Sequence, residues 1–420
     1  MMLFILLILF IVFLVAGVPL AFTFSGASIF SAFLSGDLNL MLLIQKLFNS
    51  MDSFTYMAIP LYLLAGSIMN ETGITKKLVA LADSLVGQFY GGLAQTTTLA
   101  GMLMAGISGS SNADATAIGA LMLPPLREAG YDDGFRVSLV SACAVLGPII
   151  PPSLLMIVYS GVSTVAIGDL FMAGVVPGVG LGIIYMIYSH FYAMKHDIPR
   201  TKFKGWGNVG HCFVSALGGL IMPLIIIGGI LGGIVTATEA GILAVMYGII
   251  YGFVTKQITL RMLDKCLHDT LNATVGSMLV ISFANLIGLI FTKANLPTMM
   301  MQFMTGITTN VHVILLMIIV LEMILGMFID ANAIILMMVP IFAPLMGVNP
   351  VYFAMVFVLA VDTGGLTPPV GLVMYIVSGI ENVSISNVIK KIWVFVFAMM
   401  LIDILMIFFP QMALWIPSLM

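Results

Sequence analysis

The sequence predicts an all-α protein that crosses a membrane many times. Of its 420 residues, 61% are hydrophobic and 8% are charged, whereas soluble domains carry about 25% charged residues. A transmembrane helix needs about 20 apolar residues, so a chain of this length has room for roughly 10–12 of them. The long apolar runs lack the alternation of transmembrane β-strands. The predicted fold is therefore a polytopic helical bundle.

Two segments far apart, GPIIPPS (147–153) and GGLTPPVG (364–371), each interrupt an apolar run with a Pro-Pro pair. Proline removes a backbone hydrogen bond that lipid cannot replace, so the freed carbonyls must face protein, water or an ion. Each segment predicts a helix broken inside the membrane. Two such helices in corresponding parts of two halves are typical of secondary transporters built from inverted repeats, with ligand sites near the midplane.

Each predicted break follows a short polar segment in an apolar setting. GISGSSNADATAIG (106–119) precedes the first break, and GMFIDANAI (326–334) precedes the second. A polar, glycine-containing segment cannot cross lipid exposed, but it suits the tip of a re-entrant hairpin buried in protein. The sequence thus predicts two units, each made of one hairpin and one broken helix.

A basic loop, 195–210, separates the two units. The positive-inside rule places it in the cytoplasm because of its Lys195, Arg200, Lys202 and Lys204. The net charge is −3, and no stretch is basic enough to predict a nucleic-acid partner. The three cysteines are scattered, without metal or disulfide spacing.

The tips and breaks offer oxygen ligands for Na⁺. Unwound carbonyls, hydroxyls and amide oxygens at half-helix ends can replace the hydration shell of the ion. The first predicted site comprises Ser108, Ser110, Ser111, Asn112, Gly147 and Ile150. The second comprises Gly326, Asp330, Asn332, Thr363, Gly364 and Thr367. The alternative is that the small residues only let helices approach and the hydroxyls bond their own backbone. Half-helix N-termini attract carboxylates, so an organic anion is the predicted substrate class.

Carboxylates inside a membrane are costly and are functional candidates for that reason. The sequence offers Asp114, Glu239, Glu322, Asp330 and Asp362. We expect Asp330 to neutralise a cation at the second tip, Asp114 to brace the first tip, and Glu239 to have a structural role. Asp362 begins an Asp-Thr-Gly triplet, but an aspartic protease needs two carboxylates that share a proton, and the sequences around Asp330 and Asp362 do not match. No Walker-type loop occurs in the sequence, so an ion gradient or another subunit must supply energy, and no enzyme activity is predicted.

Two stretches, 74–85 and 258–269, are amphipathic instead of continuously apolar. In each, leucine or isoleucine recurs at three- and four-residue spacing, opposite charged residues. Both patterns fit helices that lie in the membrane interface and brace a rigid frame. Connecting helices packed on the protein surface fit them equally well.

The motifs GISGSSNAD, LREAGYDDGF followed by LGPIIPPS, TEAGI, GMFIDANA and GGLTPPVG occur in this order. On these residues the chain resembles, over essentially its whole length, the large membrane subunit of the TRAP transporters, the tripartite ATP-independent periplasmic carriers (DctM type). The resemblance implies Na⁺-coupled import of an organic acid in a bacterial inner membrane by an elevator mechanism. It also implies two partners, a small four-helix membrane subunit and a periplasmic substrate-binding protein.

The same resemblance implies a division of the chain into a transport domain that slides within a scaffold. The predicted parts are scaffold helices and an interfacial arm (1–88), a first transport unit (89–172), central scaffold helices with the loop 195–210 and the arm 258–269 (173–312), a second transport unit (313–385) and a C-terminal helix (386–420). The substrate would lie between the two ion sites, at Asn112, Pro151, Ser153, Asp330, Thr367 and Pro368.

Two positions depart from the pattern of the family. Asp362 stands where an apolar residue is more usual, and this difference indicates either an altered ion site or proton coupling. Ser378 lies where sialic-acid carriers tend to have an arginine nearby, which favours a C4-dicarboxylate or similar small acid over a sugar acid such as sialic acid. The competing hypotheses are a stand-alone Na⁺/dicarboxylate carrier without a binding protein and a structural subunit without a transport path.

Overall fold

The computed structural model describes residues 2–36, 39–198, 200, 202–343 and 347–419. Throughout these residues the chain is helical and forms no strand, which confirms the predicted all-α fold. The helices of the first half are α1 Met2–Val15, α2 Leu20–Ser35, α3 Leu40–Met51, α4 Ala58–Glu71, α5 Ile74–Val86, α6 Gly92–Ser108, α7 Ser111–Glu128, α8 Asp133–Ala144, α9 Leu154–Val162 and α10 Ile167–Lys195. Those of the second half are α11 Trp206–Leu231, α12 Ala237–Val254, α13 Leu260–Lys293, α14 Leu296–Ile307, α15 Val311–Gly326, α16 Ala331–Phe342, α17 Pro350–Leu366, α18 Leu372–Glu381, α19 Ile385–Phe408 and α20 Gln411–Leu414. Residues 1 and 420 of the predicted domain limits, and 199 and 201 of the predicted basic loop, lie outside the described residues.

Many of these helices are apolar enough for a membrane. In the described part of the chain, α10, α11, α12, α13 and α19 are also long enough to cross a bilayer on their own. Six further apolar helices are shorter, namely α1, α2, α15, α16, α17 and α18. The last four belong to the second predicted hairpin and the second predicted broken helix, so turns and breaks account for their shortness. These helices confirm a polytopic membrane protein.

Both predicted hairpins are present. The helices α6 and α7 pack against each other and are joined at Gly109 and Ser110. Gly109 has a φ of +62°, a left-handed conformation that glycine adopts without steric cost. A side chain at Gly109 would also strike the carbonyl of Pro152. In the second hairpin, residues 327–330 join α15 to α16, and Asp330 caps α16 by accepting a hydrogen bond from the amide of Asn332 at 3.0 Å.

Both predicted broken helices are present as well. The first consists of α8 and α9, and Ser153 caps α9 by accepting a hydrogen bond from the amide of Met156 at 3.2 Å. The second consists of α17 and α18, with Gly371 at a φ of +54° before α18. Proline cannot donate to the helical ladder, so each helix ends before its Pro-Pro pair. A further pair, Pro124 and Pro125, lies near the end of α7 without ending it, so such a pair alone does not make a break.

The two units are interleaved. The second helix of the first hairpin, α7, packs on α8 of its own unit and on α18 of the other unit. The second helix of the other hairpin, α16, packs in the same way on α17 and on α9. This packing of a hairpin helix on the broken helix of the other unit occurs twice, because both units contain the same parts in the same order. The two tips and the two breaks are thereby brought together in the middle of one helical body.

The remaining helices surround this body. α13 contacts α2, α3 and α4 and also the hairpin helix α16, while α10 packs on α6, α9 and α17. α12 lies against α4. At its start Thr236 and Glu239 form a capping box, in which the Glu239 carboxylate accepts a hydrogen bond from the Thr236 amide at 2.7 Å. Glu239 therefore has the structural role that the sequence indicated.

The two amphipathic stretches differ in structure. The first forms a separate helix, α5, as predicted. The second is not separate, because it forms the first turns of the continuous 34-residue α13. The predicted arm 258–269 is therefore not a helix of its own, and its place in the membrane interface stays a prediction. The short helix that precedes the second hairpin, as α5 precedes the first, is the 12-residue α14. Its sequence, LPTMMMQFMTGI, contains no charge, so a search for apolar residues opposite charged ones overlooks it.

Candidate functional site

Both hairpin tips meet at one small cavity of about 80 Å³. From the first unit, its wall takes Gly109, Ser110, Ser111, Asn112, Pro148, Leu154 and Leu155. From the second unit, it takes Gly326, Ile329, Asp330, Ala331, Asn332, Asp362, Gly365, Leu372 and Val373. Except for Ser108, the tip residues of both predicted ion sites thus share one space, although they lie in different halves of the sequence.

Four helices begin at the wall of this cavity. The first residues of α7, α9, α16 and α18 all line it, and these residues are Ser111, Leu154, Ala331 and Leu372. A helix N-terminus carries a partial positive charge and amides without an intrahelical partner. The C-terminal residue of α15, Gly326, also lines the cavity, and a helix C-terminus has the opposite charge. The backbone therefore offers both an anion-attracting and a cation-attracting surface at one place.

The first tip is braced by a buried hydrogen bond. Ser108 Oγ donates to Asp114 Oδ1 at 2.6 Å, and both residues are buried. The same hydroxyl accepts a hydrogen bond from the amide of Ser110 at 3.3 Å. The amide of Leu154, at the start of α9, donates to the carbonyl of Gly109 at 3.1 Å. These bonds hold the tip against the first break, and Asp114 has the bracing role expected from the sequence.

Gly147, in the first break, makes room for Asp114. A Cβ at Gly147 would strike Asp114 Oδ2. That oxygen is buried and has no hydrogen-bond partner among the described residues. In contrast, Ser111 is half-buried and Asn112 is exposed. The first predicted ion site therefore lies beside an unpaired carboxyl oxygen of Asp114, and the side chains of its tip are open to the cavity.

The second tip packs on the second broken helix through two glycines. A Cβ on Gly326 would lie 2.8 Å from the Cα of Gly364, and one on Gly364 would lie 2.7 Å from the Cα of Gly326. Neither position has room for a side chain. At the tip, Asn332 Nδ2 donates to Asp330 Oδ1 at 3.1 Å, in addition to the backbone bond. Asp330 is half-buried, and the bonds with Asn332 fix its orientation.

The hydroxyls of the two breaks are buried and bond to their own backbone. Ser153 Oγ donates to the carbonyl of Pro148 at 2.5 Å. Thr363 Oγ1 donates to the carbonyl of Leu359, and Thr367 Oγ1 to that of Thr363, both at 2.7 Å. This is the arrangement expected of packing residues, but each hydroxyl oxygen keeps lone pairs that an ion could use. None of these three hydroxyl residues is part of the described cavity wall. The same is true of the other predicted residues of the breaks, which are Gly147, Ile150, Pro151, Gly364 and Pro368.

The side chains of the cavity wall are acidic or neutral. Asp330 and Asp362 border the cavity, and its described wall includes no Lys, Arg or His. Across the described residues, no group of three or more His, Cys, Asp or Glu side chains is placed to hold a metal ion together. Hydroxyl, amide, carbonyl and carboxylate oxygens without thiols or imidazoles suit a hard cation such as Na⁺ better than Zn²⁺.

A second cavity, of about 690 Å³, lies between the first hairpin and the surrounding helices. On one side its wall includes Asn70 of α4 and Thr270 of α13, and on the other it includes Ser108 and Thr116 of the hairpin. We call this cavity the crevice. Ser108 lines the crevice and also braces the first hairpin tip. The crevice therefore reaches one side of this tip, and the smaller cavity lies at the tip as well.

Sequence reasoning missed a buried ion pair and a buried, unpaired acid. Arg136 in α8 is 2% exposed and pairs with Glu381 at the end of α18. Asp403 in α19 is 0% exposed, and neither of its carboxylate oxygens has a partner among the described residues, as is true of Glu322 in α15. A lone aspartate in the apolar run LIDILMIFF signals Asp403 in the sequence. No local pattern signals the pairing of Arg136 with a residue 245 positions away.

Comparison with known proteins decides the family. The sequence profile described as "Tripartite ATP-independent periplasmic transporter, DctM component" matches residues 7–412. The chain belongs to the TRAP transporter large permease family. The resemblance drawn from the sequence motifs is thereby confirmed, and this TRAP permease is a membrane transport protein.

Several similar permeases have names that state a substrate. The sialic acid TRAP transporter large permease protein SiaM of Vibrio cholerae is 32% identical over 97% of this chain and 96% of that protein. The 2,3-diketo-L-gulonate TRAP transporter large permease protein YiaN of Escherichia coli is 31% identical over 94% of both chains. The C4-dicarboxylate TRAP transporter large permease protein DctM of Vibrio cholerae is 30% identical over 97% of this chain and 95% of that one.

The fold of this TRAP permease is also similar to a solved structure, the Alcanivorax borkumensis YdaH transporter, which is described as having an unusual topology. The TM-score is 0.64 at 16% identity, over 90% of this chain and 89% of that chain. At this identity the likeness concerns the fold alone.

Proposed function

We propose that this TRAP permease imports a small organic acid across a bacterial inner membrane together with Na⁺. The observation that carries the proposal is the cavity between the two tips, where oxygens from both units meet the N-termini of four helices. Such a cavity offers carboxylate, hydroxyl and amide oxygens to a cation and positive helix ends to an anion. Each ligand would lower the electrostatic cost of binding the other, which is the requirement for coupled transport.

The residues present fit Na⁺ as a co-transported ion. At the first tip, the hydroxyls of Ser110 and Ser111 and the amide of Asn112 would bind it, with the unpaired oxygen of Asp114 behind them. At the second tip, Asp330 and Asn332 would bind it, with the carbonyls around Gly326 and Gly364 and the hydroxyls of Thr363 and Thr367 behind them. In the first site, Ser108 acts through its bond to Asp114.

The proposed substrate is a C4-dicarboxylate or a sugar acid. The similar permeases named above carry the names of sialic acid, 2,3-diketo-L-gulonate and C4-dicarboxylate, which are all organic acids. One carboxylate group of the substrate would face the N-terminus of α9, close to Pro151 and Ser153, or the N-terminus of α18, close to Thr367 and Pro368. The N-terminal amides and partial positive charge of these helices favour a carboxylate at that place.

An elevator movement is the proposed mechanism. The two units are interleaved and so would move as one body, while α4, α5 and α13 belong to the frame around it. The crevice lies between α4 and α13 of that frame and the first hairpin, while α4 and α5 also pack directly on α6. The ion pair between Lys204 of the basic loop and Asp83 of α5, at 3.0 Å, ties α5 to the side that we predict to be cytoplasmic. The crevice would therefore be the exit towards the cytoplasm.

The partners follow from the family. We propose that a small four-helix membrane subunit packs on the frame and that a periplasmic substrate-binding protein delivers the acid. The test is uptake of a radiolabelled acid into proteoliposomes that contain this chain and its small subunit, with an inward Na⁺ or K⁺ gradient, and with or without the binding protein. Uptake that requires both Na⁺ and the binding protein supports the proposal.

Other results of this experiment separate the alternatives. Na⁺-dependent uptake without the binding protein would assign the chain to the stand-alone carriers. Equal uptake in Na⁺ and K⁺ gradients would show that transport is not coupled to Na⁺. If none of the candidate acids is taken up under any gradient, although the complex is folded, the substrate class is wrong.

A further inference from the structure

A third cavity, of about 310 Å³, lies between the second hairpin and the helices around it. All 15 residues of its wall are hydrophobic, and they come from α1, α13 and α14 on one side and from the hairpin on the other. We call this space the apolar cavity. Ile329, in the turn of the hairpin, lines the apolar cavity and also the small cavity between the two tips. The apolar cavity therefore reaches the second tip.

The wall of the apolar cavity selects an apolar ligand. A buried water molecule needs about two to four polar partners, and an apolar cavity of about 150 Å³ engineered into another protein stays dry and binds benzene. The apolar cavity is about twice as large as that. An apolar ligand would also give its wall dispersion contacts on every side.

The apolar cavity extends from the protein interior to the surface that faces the bilayer. Leu6 of α1, Phe291 of α13 and Phe342 of α16 are at most 4% exposed and form its inner wall. In contrast, Leu7 in the same wall is 45% exposed, and α14 has only one buried residue, Met304. Lipid tails are as apolar as leucine. The apolar ligand with direct access to this cavity is therefore an acyl chain of a membrane lipid.

Lys293 provides a positive charge next to the apolar cavity. It is the exposed C-terminal residue of α13 and stands in the sequence between two wall residues, Phe291 and Leu296. It is also the only Lys, Arg, Asp or Glu between Asp269 and Glu322 in the sequence. A lysine near a helix end extends its ammonium group to the membrane interface, where it attracts anionic headgroups. The wall and this lysine together match the two parts of an anionic phospholipid.

The direction of α13 determines the leaflet. Near its start, Lys265 pairs at 2.7 Å with Glu71, the last residue of α4. The next helix, α5, is tied by Asp83 to Lys204 of the basic loop, which we predict to be cytoplasmic. With 34 residues at about 1.5 Å each, α13 is long enough to cross the bilayer. Lys293, at its other end, therefore lies on the periplasmic side in the proposed orientation.

We propose that the apolar cavity binds one acyl chain of an anionic phospholipid from the periplasmic leaflet, with the lipid phosphate at Lys293. The bound chain packs against α1, α13 and α14 on one side and against the second hairpin on the other, and through Ile329 it contacts the second tip. Met300, Met337 and Met338 in the wall suit this ligand, because unbranched methionine side chains adapt to irregular shapes. The lipid thereby stabilises the hairpin against the helices around it.

The test is photolabelling of the purified complex of this chain with its small subunit. The complex is reconstituted into phosphatidylethanolamine vesicles with increasing amounts of a phosphatidylglycerol that carries a diazirine in one acyl chain. The labelled peptides are mapped by mass spectrometry. We expect saturable labelling of α14 and α16 at the wall of the apolar cavity. Labelling near Ile183, which is 50% exposed on α10 and not part of the described wall, should increase in proportion to the labelled lipid, as for bulk lipid.

Four variants separate a specific site from general contact with lipid. Met300→Trp in α14 and Met338→Trp in α16 each place a larger side chain in the wall, from opposite sides, and should abolish the saturable labelling. Ile183→Trp is the matched control and should keep it. Lys293→Gln should raise the half-saturating amount of phosphatidylglycerol about fivefold, as for the loss of one basic contact to an anionic lipid. It should not change that of a diazirine-bearing diacylglycerol, which has no phosphate.

A second measurement tests whether the lipid stabilises the hairpin. Phosphatidylglycerol added to the complex in detergent should raise the thermal unfolding midpoint of the wild type and of Ile183→Trp, because a ligand that binds only the folded state stabilises it. Met338→Trp should lose this shift. An equal shift in all three proteins would overturn the stabilising role.

The other outcomes also decide the inference. Labelling of α14 and α16 that increases without saturation would overturn it, since only contact with bulk lipid would be shown. Saturable labelling that persists in both wall variants would overturn it as well, and if one of them does not fold, the other decides. Unchanged binding of phosphatidylglycerol in Lys293→Gln would overturn the placement of the phosphate. These measurements do not depend on uptake, so their failure would leave the proposed function intact.

Discussion

Arg136 of α8 and Glu381 of α18 form a buried ion pair that joins the two units. The side chain of Arg136 is 3% exposed and that of Glu381 is 10% exposed. Arg136 also donates to Asp133 Oδ1 at 2.7 Å. On the surface, Arg127 approaches the same glutamate at 3.7 Å with a side chain that is 60% exposed. The pair connects the start of the first broken helix to the end of the second, at the ends remote from the breaks.

Arg136→Gln should destabilise the protein strongly. Removing one partner of a buried ion pair costs about 3–5 kcal/mol, and here it leaves Glu381 with only the exposed Arg127, at 3.7 Å. The surface pair provides the control, since Arg127→Gln should cost only about 0–1 kcal/mol. The measurement is the thermal unfolding midpoint of the purified variants. Equal midpoints for the two variants would show that the buried pair does not hold the units together.

Gly326→Ala and Gly364→Ala should each separate α15 from α17. The added methyl group would overlap the facing glycine Cα, and overpacking of this kind costs about 1–3 kcal/mol. Because both residues lie at the second predicted ion site, uptake should fall together with the unfolding midpoint. Gly379→Ala, in α18 and with no atom within 4 Å of its Cβ, should keep both. Full uptake in the first two variants would mean that the helices can shift apart without harm.

Asn332→Ala and Ser111→Ala should weaken Na⁺ binding and leave expression intact. Both side chains line the small cavity between the two tips. A hydrogen-bonding ligand to a charged group contributes about 1.5–3 kcal/mol, so the half-maximal Na⁺ concentration should rise about tenfold or more. Ser277→Ala is the control, because that hydroxyl is exposed and donates to its own helix at the carbonyl of Ala273. The readout is the dependence of uptake on Na⁺. If the Na⁺ dependence of uptake is unchanged in both tip variants, the assignment of Na⁺ sites to the two tips is wrong.

Thr116→Cys should react with a membrane-impermeant thiol reagent from the cytoplasmic side only. Thr116 is exposed and lines the crevice, which we propose to open to the cytoplasm. The half-buried Cys212 is first replaced by serine to lower the background. Ala115→Cys is the control, since this adjacent position is 0% exposed and should not react. Labelling from the periplasmic side would reverse the proposed direction of the crevice.

The parts of the site were predictable because their signals are local. Glycine and serine mark the first tip, and Pro-Pro pairs mark both breaks, although Pro124 and Pro125 in α7 show that the same signal can occur in a continuous helix. The assembly of these parts was not predictable. The convergence of four helix N-termini depends on the packing of α7 on α18 and of α16 on α9. The pairing of Arg136 with Glu381 depends on that packing as well.

The interleaving of the two units also bears on ancestry. Each unit supplies two of the four helix starts at the cavity and one of its two tips. A chain of half this length could build such a cavity only as a pair of copies. Joining the halves in one chain lets them diverge, so that a residue such as Asp362 can stand on one side of the cavity without a twin on the other.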